Sequence, residues 1–149
     1  MFNFRDSYIC AENINYLEQI IMDIERYPEF VPWCEQAKIL EIVNQEIVAK
    51  LIIMYKGIIS SYTSRVSVDK TMPAKVCINI VSEQNPLKFL QATWTLDSLA
   101  ENTTKVEFSI KFSFKSLFLH RLLNRSFDKV CKQMMSSFQA HIDDKNLNT

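Results

Sequence analysis

The chain predicts an α+β fold: a curved antiparallel β-sheet wrapped around a long C-terminal helix, with two short helices after the first strand. Three observations predict it. A strand-rich region from about Ala37 to Phe114 alternates apolar and polar residues in successive runs separated by turn signals, as an antiparallel meander with one buried face requires. From about Ser116 to Asp143 apolar residues return at helical spacing along one face. Between the opening strand and the meander, Arg26-Tyr27-Pro28-Glu29-Phe30-Val31-Pro32-Trp33-Cys34 packs two prolines and three aromatics into nine residues. One face of such a sheet must be covered, and the final helix is the element long enough to cover it.

The elements follow in order. Phe2, Phe4, Tyr8 and Cys10 alternate well enough for an opening strand over residues 2–10. From Asn13 to Glu25, Ile14, Leu17, Ile20, Ile21 and Ile24 form an amphipathic helical stripe that Asn13 or Asn15 can cap. Pro28 and Pro32 then forbid a continuous helix, because proline fixes φ and donates no backbone hydrogen bond. The spacing of Tyr27, Phe30 and Trp33 predicts that all three face one way, either as a lid over a hydrophobic cavity or as the cap of a filled core.

Strand parity is regular. Ala49, Leu51, Ile53 and Tyr55 share a face, as do Tyr62, Ser64, Val66 and Val68; Val76, Ile78 and Ile80; Leu90, Ala92, Trp94 and Leu96; and Val106, Phe108, Ile110, Phe112 and Phe114. Turn signals stand at Asn44-Gln45, Lys56-Gly57, Thr71-Met72-Pro73, Asn85-Pro86 and Glu101-Asn102. On the final helix Leu119, Leu123, Phe127, Val130, Met134 and Phe138 lie on one face and Arg121, Arg125, Lys129 and Lys132 on the other. Residues 1–144 are expected to form one domain, and 145–149 a polar C-terminal tail.

Composition narrows the function. With 17 basic and 17 acidic residues among 149, the chain lacks the basic surplus of a dedicated DNA binder. No apolar run reaches the roughly 18 residues that span a bilayer, and the N-terminus has no secretory pattern. A cytoplasmic protein is expected, with peripheral contact at the inner membrane as a further expectation. Cys10, Cys34, Cys77 and Cys131 are scattered, so they read as small buried hydrophobes and not as a metal site. The single glycine, Gly57, excludes a glycine-rich phosphate loop.

Catalysis finds little support in the residues. On one continuous helix His120 and His141 would stand roughly 31 Å apart at 1.5 Å per residue, too far to share a metal or a substrate. Of the carboxylates Glu29, Glu35, Glu83 and Glu107, parity sends Glu107 outward. No catalytic residue is assigned, and the chain is not expected to be an enzyme. Tyr55, Tyr62, Ser64 and Trp94 are the few polar groups aimed inward; an otherwise apolar ligand is oriented by groups of this kind.

Several words in the sequence carry a family resemblance. Tyr27-Pro28-Glu29-Phe30-Val31-Pro32-Trp33-Cys34, Tyr55-Lys56-Gly57-Ile58, Trp94-Thr95-Leu96, and Val106-Glu107-Phe108 with Phe112-Ser113-Phe114 resemble the coenzyme Q-binding protein family. That family is a branch of the START-like, helix-grip superfamily, which also holds polyketide cyclases and RatA-type ribosome association toxins. The resemblance covers nearly the whole chain. It implies a helix-grip fold that binds ubiquinone, or a related prenyl lipid, between sheet and helix in support of respiration. Ubiquinone would then be a bound ligand and not a catalytic cofactor. One departure concerns Val81–Phe89, where compared members carry glycines and this chain has none.

The expected ligand-binding residues are Phe30, Trp33, Leu51, Ile53, Tyr55, Tyr62, Ser64, Val66, Ile78, Leu90, Trp94, Phe112, Leu123, Phe127 and Met134. Phe30 and Trp33 are also the expected membrane contacts. Two alternatives stand beside this reading. A RatA-type protein would bind the large ribosomal subunit through Arg121, Arg125 and Lys129 and block subunit joining. A polyketide cyclase-like enzyme would turn over a substrate in the same cavity.

Overall fold

The computed structural model describes residues 1–144; the expected tail at 145–149 lies outside the described residues. The order is β1 (Phe2–Cys10), α1 (Ile14–Met22), a 3-10 segment (Ile24–Glu29), β2 (Cys34–Val43), β3 (Glu46–Tyr55), β4 (Ile58–Asp69), β5 (Lys75–Ser82), β6 (Leu87–Ala100), β7 (Thr103–Phe114), α2 (Leu117–Leu123) and α3 (Phe127–Asp143). The strands form one sheet in the order β1-β7-β6-β5-β4-β3-β2. Every neighbouring pair is antiparallel.

Local chemistry sets the turns. The Asn13 side chain accepts from the Asn15 amide at 2.9 Å and caps α1. Asn44 and Gln45 (φ 52° and 67°) close β2 to β3, and Lys56 and Gly57 (φ 49° and 80°) close β3 to β4. Two successive residues at positive φ make the turn whose twist matches that of paired strands. The Asn85–Pro86 peptide is cis.

Register then brings the predicted faces together. Leu51 pairs with Tyr62 and Ala49 with Ser64, Ile78 with Trp94, and Leu90 with Phe112 and Trp94 with Phe108. Breaks in register within β2 and β6 bend those strands and help the sheet curl over α3. Glu107 lies on the outer face, where Arg5 pairs with it at 3.3 Å, as parity predicts.

The C-terminal helix departs from expectation. It is not continuous from 116 to 143, because Asn124, Arg125 and Ser126 form turns between α2 and α3. The Ser126 amide bonds back to the Leu123 carbonyl at 3.0 Å, a tighter closure than the helical one. Asn and Ser are weak interior helix formers, and the Ser126 hydroxyl is bonded to the Tyr55 hydroxyl instead of capping α3. The basic stripe is therefore divided: Arg121 lies on α2, Arg125 in the break, and Lys129 and Lys132 on α3. His120 and His141 also fall on different helices, so the single-axis separation does not apply.

Candidate ligand cavity between sheet and helix

The concave face of the sheet and the inner faces of α2 and α3 enclose two adjoining apolar chambers. The outer chamber, of about 160 Å³, is bounded by the β3–β4 hairpin, the Pro86–Leu87 corner, the C-terminal half of β7, α2 and the first turns of α3. The inner chamber, of about 80 Å³, lies under α1, the 3-10 segment and β3 to β7. Trp33, Tyr62, Leu90, Phe108, Ile110 and Met134 border both, so these six side chains form the partition.

The predicted residues distribute between the chambers. Ile53, Tyr55, Phe112, Leu123 and Phe127 line the outer one. Leu51, Ser64, Val66, Ile78 and Trp94 line the inner one. Trp33, Tyr62, Leu90 and Met134 stand between them.

Phe30 is the exception and lines neither chamber. Its ring stacks on His141 with centroids 3.8 Å apart and meets Phe138 edge-on at 4.9 Å. Phe30 still meets Tyr27 edge-on at 5.9 Å, and both rings pack on Phe138, but Phe138 and His141 take up the Phe30 ring short of the chamber that Tyr27 borders. Neither Phe30 nor Trp33 is an exposed membrane anchor, since both are half-buried.

The 3-10 segment behaves as a fixed lid. Tyr27 is buried, and its hydroxyl donates to the Ile21 carbonyl. The Met54 amide donates to the Trp33 carbonyl at 2.9 Å, and the Ile39 amide to the Glu25 carboxylate at 3.0 Å. Both ends of the lid are thus tied to β2 and β3.

Sequence reasoning missed several wall residues. Ile58 and Ser60 continue the parity of Tyr62 back to the hairpin, and Leu119 already lay on the helical stripe, so both signals were available. Pro86 and Leu87 come from a corner for which periodicity offers no signal.

The polar groups are sparse and unequal. Tyr55 is satisfied by Ser126. Tyr62 is half-buried and makes no hydrogen bond among the described residues, and burial raises its phenol far above the ordinary value, so it remains an O–H donor across the physiological range. The fully buried hydroxyl without a partner is that of Tyr8, which borders neither chamber. Burial also pushes the Cys34 thiol up to about 11 and the Cys131 thiol, in the outer wall, up to about 12. Both are neutral thiols near pH 7 and poor nucleophiles. Glu29, Glu35 and Glu83 are exposed, His120 packs on Phe2 at 4.7 Å, and His141 stacks on Phe30. Among the described residues no cluster of His, Cys, Asp and Glu is arranged to hold a metal ion, and no helix is long and apolar enough to cross a membrane.

A sheet gripping a helix over an apolar cavity is the arrangement the sequence words implied. The family described as polyketide cyclase/dehydrase and lipid transport matches residues 19–139. The chain belongs to that family. A relative, the ribosome association toxin RatA of Rickettsia prowazekii, is 31% identical over 140 residues, 93% of this chain and 94% of that protein. Coenzyme Q-binding protein COQ10 homolog B, mitochondrial, of Xenopus laevis is 27% identical over 139 residues, 91% of this chain. The chain spans only 56% of that second protein's length. Human StAR-related lipid transfer protein 5 superposes with a TM-score of 0.81 over 99% of this chain and 77% of that one, at 9% identity, a likeness of fold alone. The expected START-like fold is therefore confirmed. The family's description spans both cyclases and lipid transport.

Proposed function

We propose that this chain binds a prenyl quinone, ubiquinone or a close relative, as a non-catalytic lipid carrier or chaperone supporting respiration, working from the cytoplasm at the inner membrane. The observation that carries the reading is the half-buried Tyr62 side chain, whose hydroxyl makes no hydrogen bond among the described residues, set in the partition of a two-chambered apolar cavity. A hydroxyl facing an apolar chamber has a donor to offer, and a quinone carbonyl is an acceptor for it. Ser64 and Trp94 in the inner chamber offer further polar contact to the head, while the walls accept an isoprenoid tail. Tail burial contributes about 25 cal/mol per Å² of apolar surface.

The likeness to a COQ10 homolog supports this reading, and so does a cavity wall that, among the described residues, holds no histidine or carboxylate and whose one thiol, Cys131, is neutral near pH 7. That second point weighs against the cyclase-like alternative. The RatA-type alternative has its own support in the 31% identity to the Rickettsia protein. It assigns binding of the large ribosomal subunit to Arg121, Arg125 and Lys129, all exposed, with steep salt dependence.

Titration with a short-tailed ubiquinone, followed by quenching of Trp33 and Trp94 fluorescence, tests the proposal. Tyr62→Phe is expected to weaken binding about 10-fold while leaving the melting temperature unchanged or slightly raised. Equal binding by both proteins would remove Tyr62 as the anchor of the head, and a wild-type chain that binds no quinone would end the reading.

A further inference from the structure

Helix α2 has apolar residues on both its inner and outer sides. Leu119, Leu122 and Leu123 face the outer chamber. Leu117, on the opposite side, and Phe118, on the flank between them, are 62% and 64% exposed. A surface helix normally turns charge outward, and here two adjacent large apolar side chains form a patch in solvent.

The charge around them is one-sided. Between Lys115 and Phe127 the chain carries Lys115, Arg121 and Arg125 and not one acidic residue, although the whole chain is neutral. Arg121 follows Leu117 and Phe118 by four and three residues, so it shares their face. Lys56, from the β3–β4 hairpin, reaches the end of α2. Among the described residues none of these four cations forms an ion pair.

We infer that α2 is the bilayer-docking face of this protein, with anionic phospholipid headgroups on its cations and Leu117 and Phe118 among the acyl chains. Cations alone fit any polyanion. The two outward apolar side chains decide for a lipid surface, because acyl chains take them out of water and RNA phosphates do not.

The same helix is a wall of the outer chamber. The 3-10 lid is tied to β2 and β3 through backbone amides, whereas the polar ties of α2 come from side chains: Lys56 Nζ donates to the Leu122 carbonyl at 3.4 Å and the Tyr55 and Ser126 hydroxyls pair just past its end, beside the packing of His120 on Phe2. A lipid phosphate is a stronger acceptor for Lys56 than a carbonyl, so docking loosens α2 where the ligand must pass. Only this direction of ligand entry rests on the quinone reading; docking stands or falls separately.

The test is flotation of the full chain with phosphatidylcholine vesicles, with and without phosphatidylglycerol, alongside sedimentation with large ribosomal subunits and quinone extraction from the same preparations. Wild type is expected to float with the anionic vesicles and to detach as salt rises. Leu117→Ser with Phe118→Ser should weaken flotation at least about 10-fold. Arg121→Gln with Arg125→Gln should weaken it about 5-fold per charge. All four side chains are exposed, so unchanged melting temperatures are expected and are measured as the control on folding. Wild type that stays soluble, or a serine variant that floats normally, would overturn the inference. So would arginine loss that abolishes ribosomal sedimentation and spares flotation. A chain that floats but neither holds nor binds quinone would keep the docking face and remove the carrier role.

Discussion

Phe127→Ala is expected to destabilise the domain by about 3–5 kcal/mol, seen as a fall in melting temperature on the order of 10 °C. Phe127 opens α3 and is buried against three other phenylalanines, with ring centroids 4.9 Å from Phe2, 5.2 Å from Phe112 and 6.4 Å from Phe4. These contacts tie the helix to edge strand β1 and to its neighbour β7. Truncation removes buried apolar surface and enlarges a chamber that is already hollow, where collapse of the surroundings cannot offset the loss. A fall of less than about 1 kcal/mol would show that β1 and α3 are joined in some other way. A charge here, as in Phe127→Asp, is expected to abolish ligand binding, but it destabilises the fold as well and cannot separate the two effects.

Val130→Phe separates them and carries the second large effect. Val130 is half-buried on the inner side of α3 and lines the outer chamber. A phenyl ring there fills the hollow without adding a polar group that needs a partner. Filling a cavity is neutral to stabilising when it forces no strain, so the melting temperature should hold or rise. The outer chamber, already below the roughly 300–1,000 Å³ of typical ligand pockets, would close, and quinone affinity should fall by at least about 10-fold. Full affinity in a folded Val130→Phe protein would place the ligand elsewhere. Set beside Phe127→Ala, the pair distinguishes loss of binding through unfolding from loss of binding through occlusion.

Much of this site was legible because strand parity is rigid. Leu51, Ile53, Tyr62, Trp94 and Phe112 were placed by alternation alone, since a period of two leaves no freedom about which face a residue takes. The helical stripe likewise placed Leu123, Phe127 and Met134. The break between α2 and α3 was hidden because Leu119, Leu123 and Phe127 keep helical spacing across it. The hydroxyl contact from Tyr55 to Ser126 that accompanies the break comes from a distant hairpin, and Asn124 and Ser126 were the only local cues. Phe30 was misplaced because its ring, though on the Tyr27 side, packs on Phe138 and His141 of α3, distant partners that spacing within the segment does not reveal. The outward face of α2 was illegible for a different reason. Leu117 and Phe118 belong to an apolar run that reads as core until the sheet is present to show which side is already covered.

The central claim is that the cavity holds a prenyl quinone, and mass spectrometry of organic extracts from protein purified from its own host tests it most directly. Val130→Phe, shown to be folded by its melting curve, is extracted in parallel. A quinone near one per wild-type chain, and far less in the variant, is the predicted result. A wild-type protein that carries no quinone and sediments with large ribosomal subunits would contradict the account.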